Sequence, residues 1–255
     1  PLVGDMTEFH VTHEGDKECS IDKILPRKNA LIRPAVANVD QAMIIFAVAS
    51  PAPNLNMLDR FLITMELQHV ETIICFNKTD VSSQEEVDRL GDVYKNCGCQ
   101  VVFTSVEKQE GLLQVRELLK DKTTVMAGPS GVGKSSMMNY LKPEAAMETG
   151  AISKKIQRGR HTTRHSELFH LEGSTYVMDT PGFTSLYIDH VEAQDLKNCF
   201  AEFEPYEGQC RFNGCVHIHE PDCAVKEALK AGKISRSRYD NYVIFYEELK
   251  SQRRY

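Results

Sequence analysis

The sequence lacks an apolar run long enough to cross a lipid bilayer. Its longest run, residues 42–49, has eight residues, whereas a transmembrane helix needs about 18 or more. A positively charged N-terminal region followed by an apolar stretch, the mark of a secretory signal, is also missing. We therefore predict no membrane partner, and the distribution of cysteines described below predicts a cytoplasmic protein. The first residue is Pro1 rather than Met, so we expect the natural chain to begin earlier.

An excess of positive charge is absent as well. The chain has 30 Lys and Arg residues against 36 Asp and Glu, and its formal net charge is −6. This balance argues against a surface coated with positive charge for nonspecific binding of nucleic acid. What the sequence does contain is 255 residues, 42% of them hydrophobic, which is enough for more than one domain. We expect the protein to be a monomer.

The cysteines are distributed unlike a disulfide framework. Eight cysteines could form four disulfides, but three of them crowd into residues 210–223 beside His217 and His219. Such crowding indicates a metal site in a reducing compartment. The other five are scattered along the chain: Cys19, Cys75, Cys97, Cys99 and Cys199.

Four residues of this cluster have the spacing Cys-x4-Cys-x-His-x5-Cys. Three thiolates and one imidazole complete a tetrahedral zinc site and leave no open position, so we predict structural Zn²⁺. His219 is a rival ligand, and buried free cysteines beside a surface histidine are the alternative to a metal site. The predicted ligands are Cys210, Cys215, His217 and Cys223.

Short apolar runs alternate with segments of helical period from residue 36 onward. The pattern predicts strands at 42–49, 72–76, 100–104, 123–127 and 175–178, and helices from Leu55 and at 84–95, 112–120 and 134–141. This alternation is typical of an α/β domain, a mostly parallel sheet covered on both faces. We place that domain at 34–194, after a β-like segment at 1–33 that is too small to fold alone. Residues 195–255 follow, with helices predicted at 224–231 and 238–250.

Residues 128–135 match the phosphate-binding pattern GxxxxGK[ST], directly between a predicted strand and a predicted helix. Backbone N–H groups would surround the phosphates, Lys134 would reach the β- and γ-phosphates, and the Ser135 hydroxyl would bind Mg²⁺. The alternative is an ordinary glycine-rich turn. The predicted nucleotide-binding residues here are Gly128, Ser130, Gly131, Val132, Gly133, Lys134, Ser135 and Ser136.

The tetrapeptide Asn77-Lys78-Thr79-Asp80 follows another predicted strand. A carboxylate such as Asp80 can accept hydrogen bonds from both N1–H and the exocyclic amine of guanine, whereas adenine offers no such pair of donors. Asn77 can bind N7, the Lys78 stem can lie over the ring, and the turn around Ser105 can donate an N–H to the guanine O6. A chance turn is the alternative, but beside a phosphate-binding loop the pattern favours GTP and GDP as ligands.

The segment Asp179-Thr180-Pro181-Gly182 has the form DxxG after a predicted strand. Asp179 would hold Mg²⁺ through water and the Gly182 N–H would meet the γ-phosphate, although taken alone the segment is typical of a turn. The guanine motif here precedes the phosphate-binding loop, whereas it usually follows. This order predicts a circularly permuted GTPase, which is feasible because domain termini often lie close together.

Taken together, these motifs resemble the bacterial ribosome small-subunit-dependent GTPase A family. The resemblance also rests on Arg33-Pro34, Asn38-Val39-Asp40 and residues 159–163 (Gly-Arg-His-Thr-Thr). It implies a permuted P-loop GTPase domain between an N-terminal OB-fold, a β-barrel present here only in part, and a small helical zinc-binding domain. It further implies a role in late maturation of the small (30S) ribosomal subunit and contact with 16S rRNA.

Residues 153–166 are expected to form the first switch of the GTPase. Thr162 or Thr163 can supply a hydroxyl to Mg²⁺, and the resemblance points to Thr163. The residue after the DxxG glycine, often a glutamine that orients the attacking water, is Phe183, whose ring cannot do so. His161 is the best candidate for that role; the alternative is an RNA phosphate contact. We thus predict His161, Lys134 and Thr163 as the catalytic residues.

Positive charge is concentrated in two places. Residues 153–166 contain five Lys or Arg and no acid, and residues 223–255 contain eight against four acids. Both segments favour contact with RNA phosphates, although a solvated loop is the alternative for the first. The function predicted is a GTP-hydrolysing assembly factor stimulated by the small subunit. The alternatives are a GTPase acting on the large subunit or a protein partner, and a non-enzymatic RNA-binding module with a structural nucleotide.

Overall fold

A computed structural model of the chain describes residues 1–13, 18–32, 34–145, 166–180, 187–188 and 191–252. The N-terminal segment forms an antiparallel hairpin of β1 (Thr7–His13) and β2 (Glu18–Ile24). Every residue of β2 is exposed, so the hairpin contributes little to a core. The residues before the hairpin are joined to the rest of the chain by a hydrogen bond of 2.9 Å from Ala37 N to Val3 O.

A six-stranded sheet forms the centre of the molecule, with strand order β5-β4-β3-β6-β8-β7. All neighbouring strands are parallel except the antiparallel pair β7–β8. The sheet therefore has the mostly parallel α/β architecture expected from the sequence. The strands are β3 (Gln41–Ala47), β4 (Glu71–Asn77), β5 (Gln100–Phe103), β6 (Thr123–Ala127), β7 (Glu167–His170) and β8 (Tyr176–Asp179).

Helices cover both faces of this sheet. Alternate residues of each strand point to opposite sides, so each face has apolar side chains of its own. Ile44 and Phe46 of β3 belong to one apolar core, and Met43 and Ile45 to the other. The first core is shared with α1 and α2 and the second with α3 and α4. The helices are α1 (Leu55–Leu67), α2 (Gln84–Tyr94), α3 (Leu112–Leu119) and α4 (Lys134–Leu141).

Helices and 3₁₀ turns form the C-terminal part around a third, aromatic core. Its 3₁₀ segments are Ala193–Cys199 and Ala201–Tyr206, and its helices are α5 (Ala224–Lys230) and α6 (Arg236–Gln252). Phe203 packs edge-on against Tyr242 of α6, with ring centroids 5.0 Å apart. Ile63 of α1 joins this core, so the C-terminal part is packed on the central domain. Among the described residues, none of the helices is both long and apolar enough to span a membrane.

Candidate nucleotide site and metal centre

The carboxyl ends of four parallel strands bring the predicted nucleotide motifs to one edge of the sheet. The chain runs outward through β3, β4 and β5 and then returns to β6 on the other side of β3. Such a reversal leaves a crevice at the carboxyl ends of the strands, where α/β proteins bind ligands. The glycine-rich loop leaves β6 at this point. The Asn77–Asp80 motif follows β4, the turn at Ser105 follows β5, and Asp179 ends β8.

Two glycines of the loop lie where a larger residue cannot fit. Gly128 has φ +146°, and a Cβ there would lie 2.1 Å from the carbonyl oxygen of Ile45. Gly133 has φ +99°, and its Cβ would lie 2.3 Å from Nδ2 of Asn77. The loop therefore passes close to both β3 and the guanine motif, which only glycine permits.

The loop ends at the N-terminus of α4, whose first residue is Lys134. The Lys134 ammonium donates to the carbonyl oxygens of Gly128 and Pro129, at 2.6 and 2.7 Å, so its charge lies inside the curve of the loop. Ser135 and Ser136 are half-buried in the first turn of α4, and Ser130 is exposed at the tip of the loop. A helix N-terminus preceded by such a loop provides N–H donors and partial positive charge to an anion.

Asn77 and Lys78 attach the guanine motif directly to the phosphate-binding loop. The buried Asn77 donates from Nδ2 to the carbonyl oxygen of Val132 at 2.9 Å, and its Oδ1 accepts from the Thr104 hydroxyl at 3.0 Å. The Lys78 ammonium donates to Gly131 O at 2.7 Å. These bonds connect the Asn77–Asp80 motif directly to the glycine-rich loop.

Asp80 is oriented by the side chain of Ser105. The Ser105 hydroxyl donates to Asp80 Oδ1 at 2.6 Å and accepts from Lys108 N at 3.0 Å. The Ser105 N–H already donates to the carbonyl oxygen of Glu110 at 3.1 Å. Ser105 therefore acts on the carboxylate through its side chain, a contact between separate strands that the sequence pattern did not reveal.

Asp179 lies at the carboxyl end of β8, paired in register with Met126 of β6. The next side chain, the buried Thr180, donates its hydroxyl to Met126 O at 2.8 Å, which holds the end of β8 beside the start of the phosphate-binding loop. Three other predicted site residues, His161, Thr163 and Gly182, lie outside the described residues.

The four predicted metal ligands are brought together, their ligand atoms all within 4.8 Å of one another. Nδ1 of His217 is 3.6 Å from Cys210 Sγ and 3.4 Å from Cys223 Sγ, and these two sulfurs are 3.9 Å apart. Four ligands around one zinc ion, with Zn–S bonds of about 2.3 Å, lie about 3.8 Å from one another. The donor set and its spacing fit a closed tetrahedral site.

Glu207 orients the imidazole of this cluster. Its Oε1 lies 2.8 Å from His217 Nε2, which leaves Nδ1 facing the sulfurs, an arrangement common behind metal-binding histidines. Partial burial would raise the pKa of Glu207, but its bonds to His217 and Lys197 outweigh burial and lower it. Burial also raises the pKa of the Cys215 thiol to about 12, and a bound cation would favour the thiolate form of such a group.

The structure separates the two rival histidines. His217 is 1% exposed and lies among the cysteines, whereas the His219 side chain is 76% exposed and lies 3.9 Å from Glu247 on α6. The geometry therefore favours His217 over His219 as the candidate ligand.

Comparisons with known proteins match this architecture over the whole chain. A sequence model of the RsgA GTPase family matches residues 24–189. A curated relative from Agathobacter rectalis, named small ribosomal subunit biogenesis GTPase RsgA, is 53% identical over 255 residues, which cover 100% of this chain and 84% of the relative.

Two solved structures have the same fold. YjeQ from Thermotoga maritima superposes with a TM-score of 0.81 at 36% identity, covering 99% of this chain and 86% of YjeQ. YloQ, described as a circularly permuted GTPase, has a TM-score of 0.77 at 38% identity and covers 100% and 83% of the two chains. The resemblance and the permuted fold predicted from the motifs are confirmed, and the family implies a guanine nucleotide and Mg²⁺ as ligands. The chain belongs to the RsgA GTPase family and is a circularly permuted, GTP-hydrolysing enzyme.

Proposed function

We propose that GTP hydrolysis by this protein serves maturation of the small ribosomal subunit in the bacterial cytoplasm, through contact with 16S rRNA. The observation that supports this most is the match along the full chain to relatives named for that process, at 53% and 49% identity. We further propose that the protein acts as a monomer. The chain would consist of three functional units: the hairpin segment 1–33, the GTPase domain 34–194 and the zinc-binding part 195–255.

The geometry of the nucleotide crevice supports a role for the predicted residues that the structure describes. Asp80, held by Ser105, would accept from the guanine N1–H and amine, with Asn77 and Lys78 beside the ring. The N–H groups of residues 128–136 would bind the phosphates, and Lys134 would transfer its bonds from the loop carbonyls to phosphate oxygens. Mg²⁺, which neutralises charge developing on the phosphates, would be held by Ser135 and Thr163 and, through water, by Asp179.

Three of the proposed contributions, those of Thr163, Gly182 and His161, rest on the sequence alone. Gly182 would donate its N–H to the γ-phosphate, and His161 would orient the attacking water in place of the glutamine replaced by Phe183. His161 stands among five Lys or Arg and no acid in residues 153–166. Phosphates of rRNA would neutralise that charge and place the segment over the nucleotide, which couples subunit binding to hydrolysis.

The second basic segment is less exposed than its composition suggested. Arg238 is 1% exposed and bonded to Asp59 and Glu202, so it cannot contact RNA. Arg236 and Lys230 are exposed but pair with Asp240 and Glu227. The C-terminal part therefore offers less free positive charge than the number of Lys and Arg residues in 223–255 implied. We accordingly propose residues 153–166 as the main rRNA contact.

Purified small subunits are expected to raise the GTP turnover of this protein by about 10-fold or more, in line with partner-stimulated GTPases. His161→Ala should remove most of this stimulation and leave GTP affinity nearly unchanged, as expected when an interaction forms only in the transition state. Steady-state phosphate release with each subunit size and nucleotide titration would measure both effects.

The matched control is His165→Ala, which removes a histidine from the same segment and should retain stimulation. Stimulation by large subunits alone would contradict the proposed function. A His161→Ala protein that is stimulated like wild type would contradict its catalytic role, and one that no longer binds the subunit would make His161 an RNA contact.

We also propose that the cluster of Cys210, Cys215, His217 and Cys223 binds one structural Zn²⁺. The ion would hold residues 210–223 together, a segment whose few apolar side chains give it little core of its own. Cys215→Ser is expected to release the metal and to lower the unfolding temperature, whereas His219→Ala should change neither. Elemental analysis and thermal unfolding would measure the two effects. Loss of metal from the His219→Ala protein would overturn the assignment. So would wild-type protein that is purified without metal, or that unfolds at the same temperature with and without it.

A further inference from the structure

Three of the five cysteines that are scattered in the sequence line one cavity. This cavity, of about 620 Å³, lies between the end of α1, the turn after α2 and the first two 3₁₀ segments of the C-terminal part. Cys97, Cys99 and Cys199 all face it. Exposed residues, among them Glu66 and His69, form part of its lining, so small polar molecules can enter from solvent.

Cys97 and Cys99 are close to each other because of the turn between them. Gly98 has φ +80°, a conformation that favours glycine, and Cys97 Sγ comes within 4.0 Å of Cys99 O. The Cys97 thiol therefore contacts the backbone of the residue that carries the second thiol. Cys97 is buried, Cys99 is half-buried, and Gly98 between them is exposed, so the pair meets solvent through this turn.

The surroundings of the two thiols differ. The difference suits Cys97 as the nucleophile and Cys99 as the thiol that attacks the oxidised sulfur. The Cys99 side chain lowers the pKa of Cys97 and outweighs burial, which acts the other way, and the opposite charges of Arg238 and Glu202 add smaller effects of opposite sign. The Cys97 side chain and burial both raise the pKa of Cys99. A thiolate is the reactive form towards peroxides and disulfides. Burial raises the pKa of Cys199 to about 11, so this third thiol stays protonated at neutral pH.

We propose that Cys97 and Cys99 form an oxidisable dithiol that reacts with peroxides and closes to a disulfide within the turn. The Cys97 thiolate attacks one oxygen of hydrogen peroxide, the O–O bond breaks, and the departing hydroxide takes up a proton to become water. Cys99 then loses its proton and attacks the sulfur of the resulting sulfenic acid, which expels a second water. One peroxide is reduced by two electrons and the two thiols are oxidised by two.

The sequence around the turn makes this chemistry easy to follow. Trypsin cleavage after Lys95 and Lys108 releases peptide 96–108, in which Cys97 and Cys99 are the only cysteines. The metal-loaded full chain would be treated with one equivalent of hydrogen peroxide, alkylated, digested and analysed by mass spectrometry. We expect this peptide to lose the mass of two hydrogens and to resist alkylation until a dithiol reductant is added.

Variants separate the roles of the three thiols. Cys99→Ser should stop the reaction at a Cys97 sulfenic acid that a dimedone probe captures. Cys97→Ser, which keeps only the thiol whose pKa is raised, should slow oxidation of the peptide by about 10-fold or more. Cys199→Ser, from the same cavity, should leave the disulfide unchanged. A peptide that alkylates fully after peroxide, or a disulfide that joins Cys97 to Cys199, would overturn the proposal.

Discussion

Arg238→Ala is expected to lower the free energy of unfolding by about 3–5 kcal/mol, since removing one partner of a buried ion pair leaves the others as uncompensated charges. Arg238 donates to Asp59 at 2.7 Å and to both carboxylate oxygens of Glu202, at 2.7 and 3.1 Å. Its guanidinium also lies 4.7 Å from the ring centre of Phe200. Urea unfolding followed by circular dichroism would measure the loss.

The neighbouring arginine on the same helix provides the control. Arg236 pairs with Asp240 at 2.9 Å, but its side chain is 77% exposed, and exposed ion pairs contribute little to stability. Arg236→Ala should therefore leave the free energy of unfolding nearly unchanged. If the two substitutions lower the free energy of unfolding equally, burial of the ion network does not determine its contribution to stability.

The Arg238 network also connects parts of the chain far apart in sequence. Asp59 of α1 accepts from Arg238, from Asn241 at 2.6 Å and from the Tyr94 hydroxyl of α2 at 3.0 Å. Burial would lower the pKa of Arg238, but Asp59 and Glu202 outweigh it and raise the pKa well above its ordinary value. Since the partners lie on α1, α2, a 3₁₀ segment and α6, the network fixes the C-terminal part on the GTPase domain. Its loss should loosen that docking before the sheet unfolds.

Features carried by local pattern could be predicted from the sequence. The strands of the sheet that lead into the nucleotide motifs are nearly continuous apolar runs, because a parallel sheet is buried on both faces. β7 was missed because it is an edge strand in which only Phe169 is buried, so it has neither an apolar run nor a strong alternation. The helical period after the phosphate-binding pattern placed the ends of α4 at the predicted residues.

Features that depend on long-range packing could not be predicted. Arg238 was counted among the surface charges, because its partners Asp59 and Glu202 lie 179 and 36 residues away. The same holds for Cys199, which shares a cavity with Cys97 only because the C-terminal part folds back on α1. The bond from Ser105 to Asp80 likewise joins loops after different strands.

Asp80→Asn is expected to weaken GTP binding by about 100-fold or more. The carboxylate would accept two charge-assisted hydrogen bonds from guanine, each worth about 1.5–3 kcal/mol. An amide has a single acceptor oxygen, and in this fold Oδ1 of residue 80 also accepts from the Ser105 hydroxyl at 2.6 Å. The amide nitrogen would then face the guanine amine, donor against donor. Isothermal titration of both proteins with GTP, ATP and xanthosine triphosphate would measure the effect.

Xanthosine triphosphate tests the geometry behind this loss, because xanthine carries a carbonyl where guanine carries the amine. The amide introduced by Asp80→Asn can donate to that carbonyl, so this variant should bind xanthosine triphosphate more tightly than wild type does, which a merely misfolded loop could not achieve. Ser105→Ala only frees the carboxylate to rotate. It should weaken GTP binding far less, by about 10-fold or less. Wild-type protein that binds ATP as tightly as GTP, or an Asp80→Asn protein with unchanged GTP affinity, would show that residue 80 does not read the base.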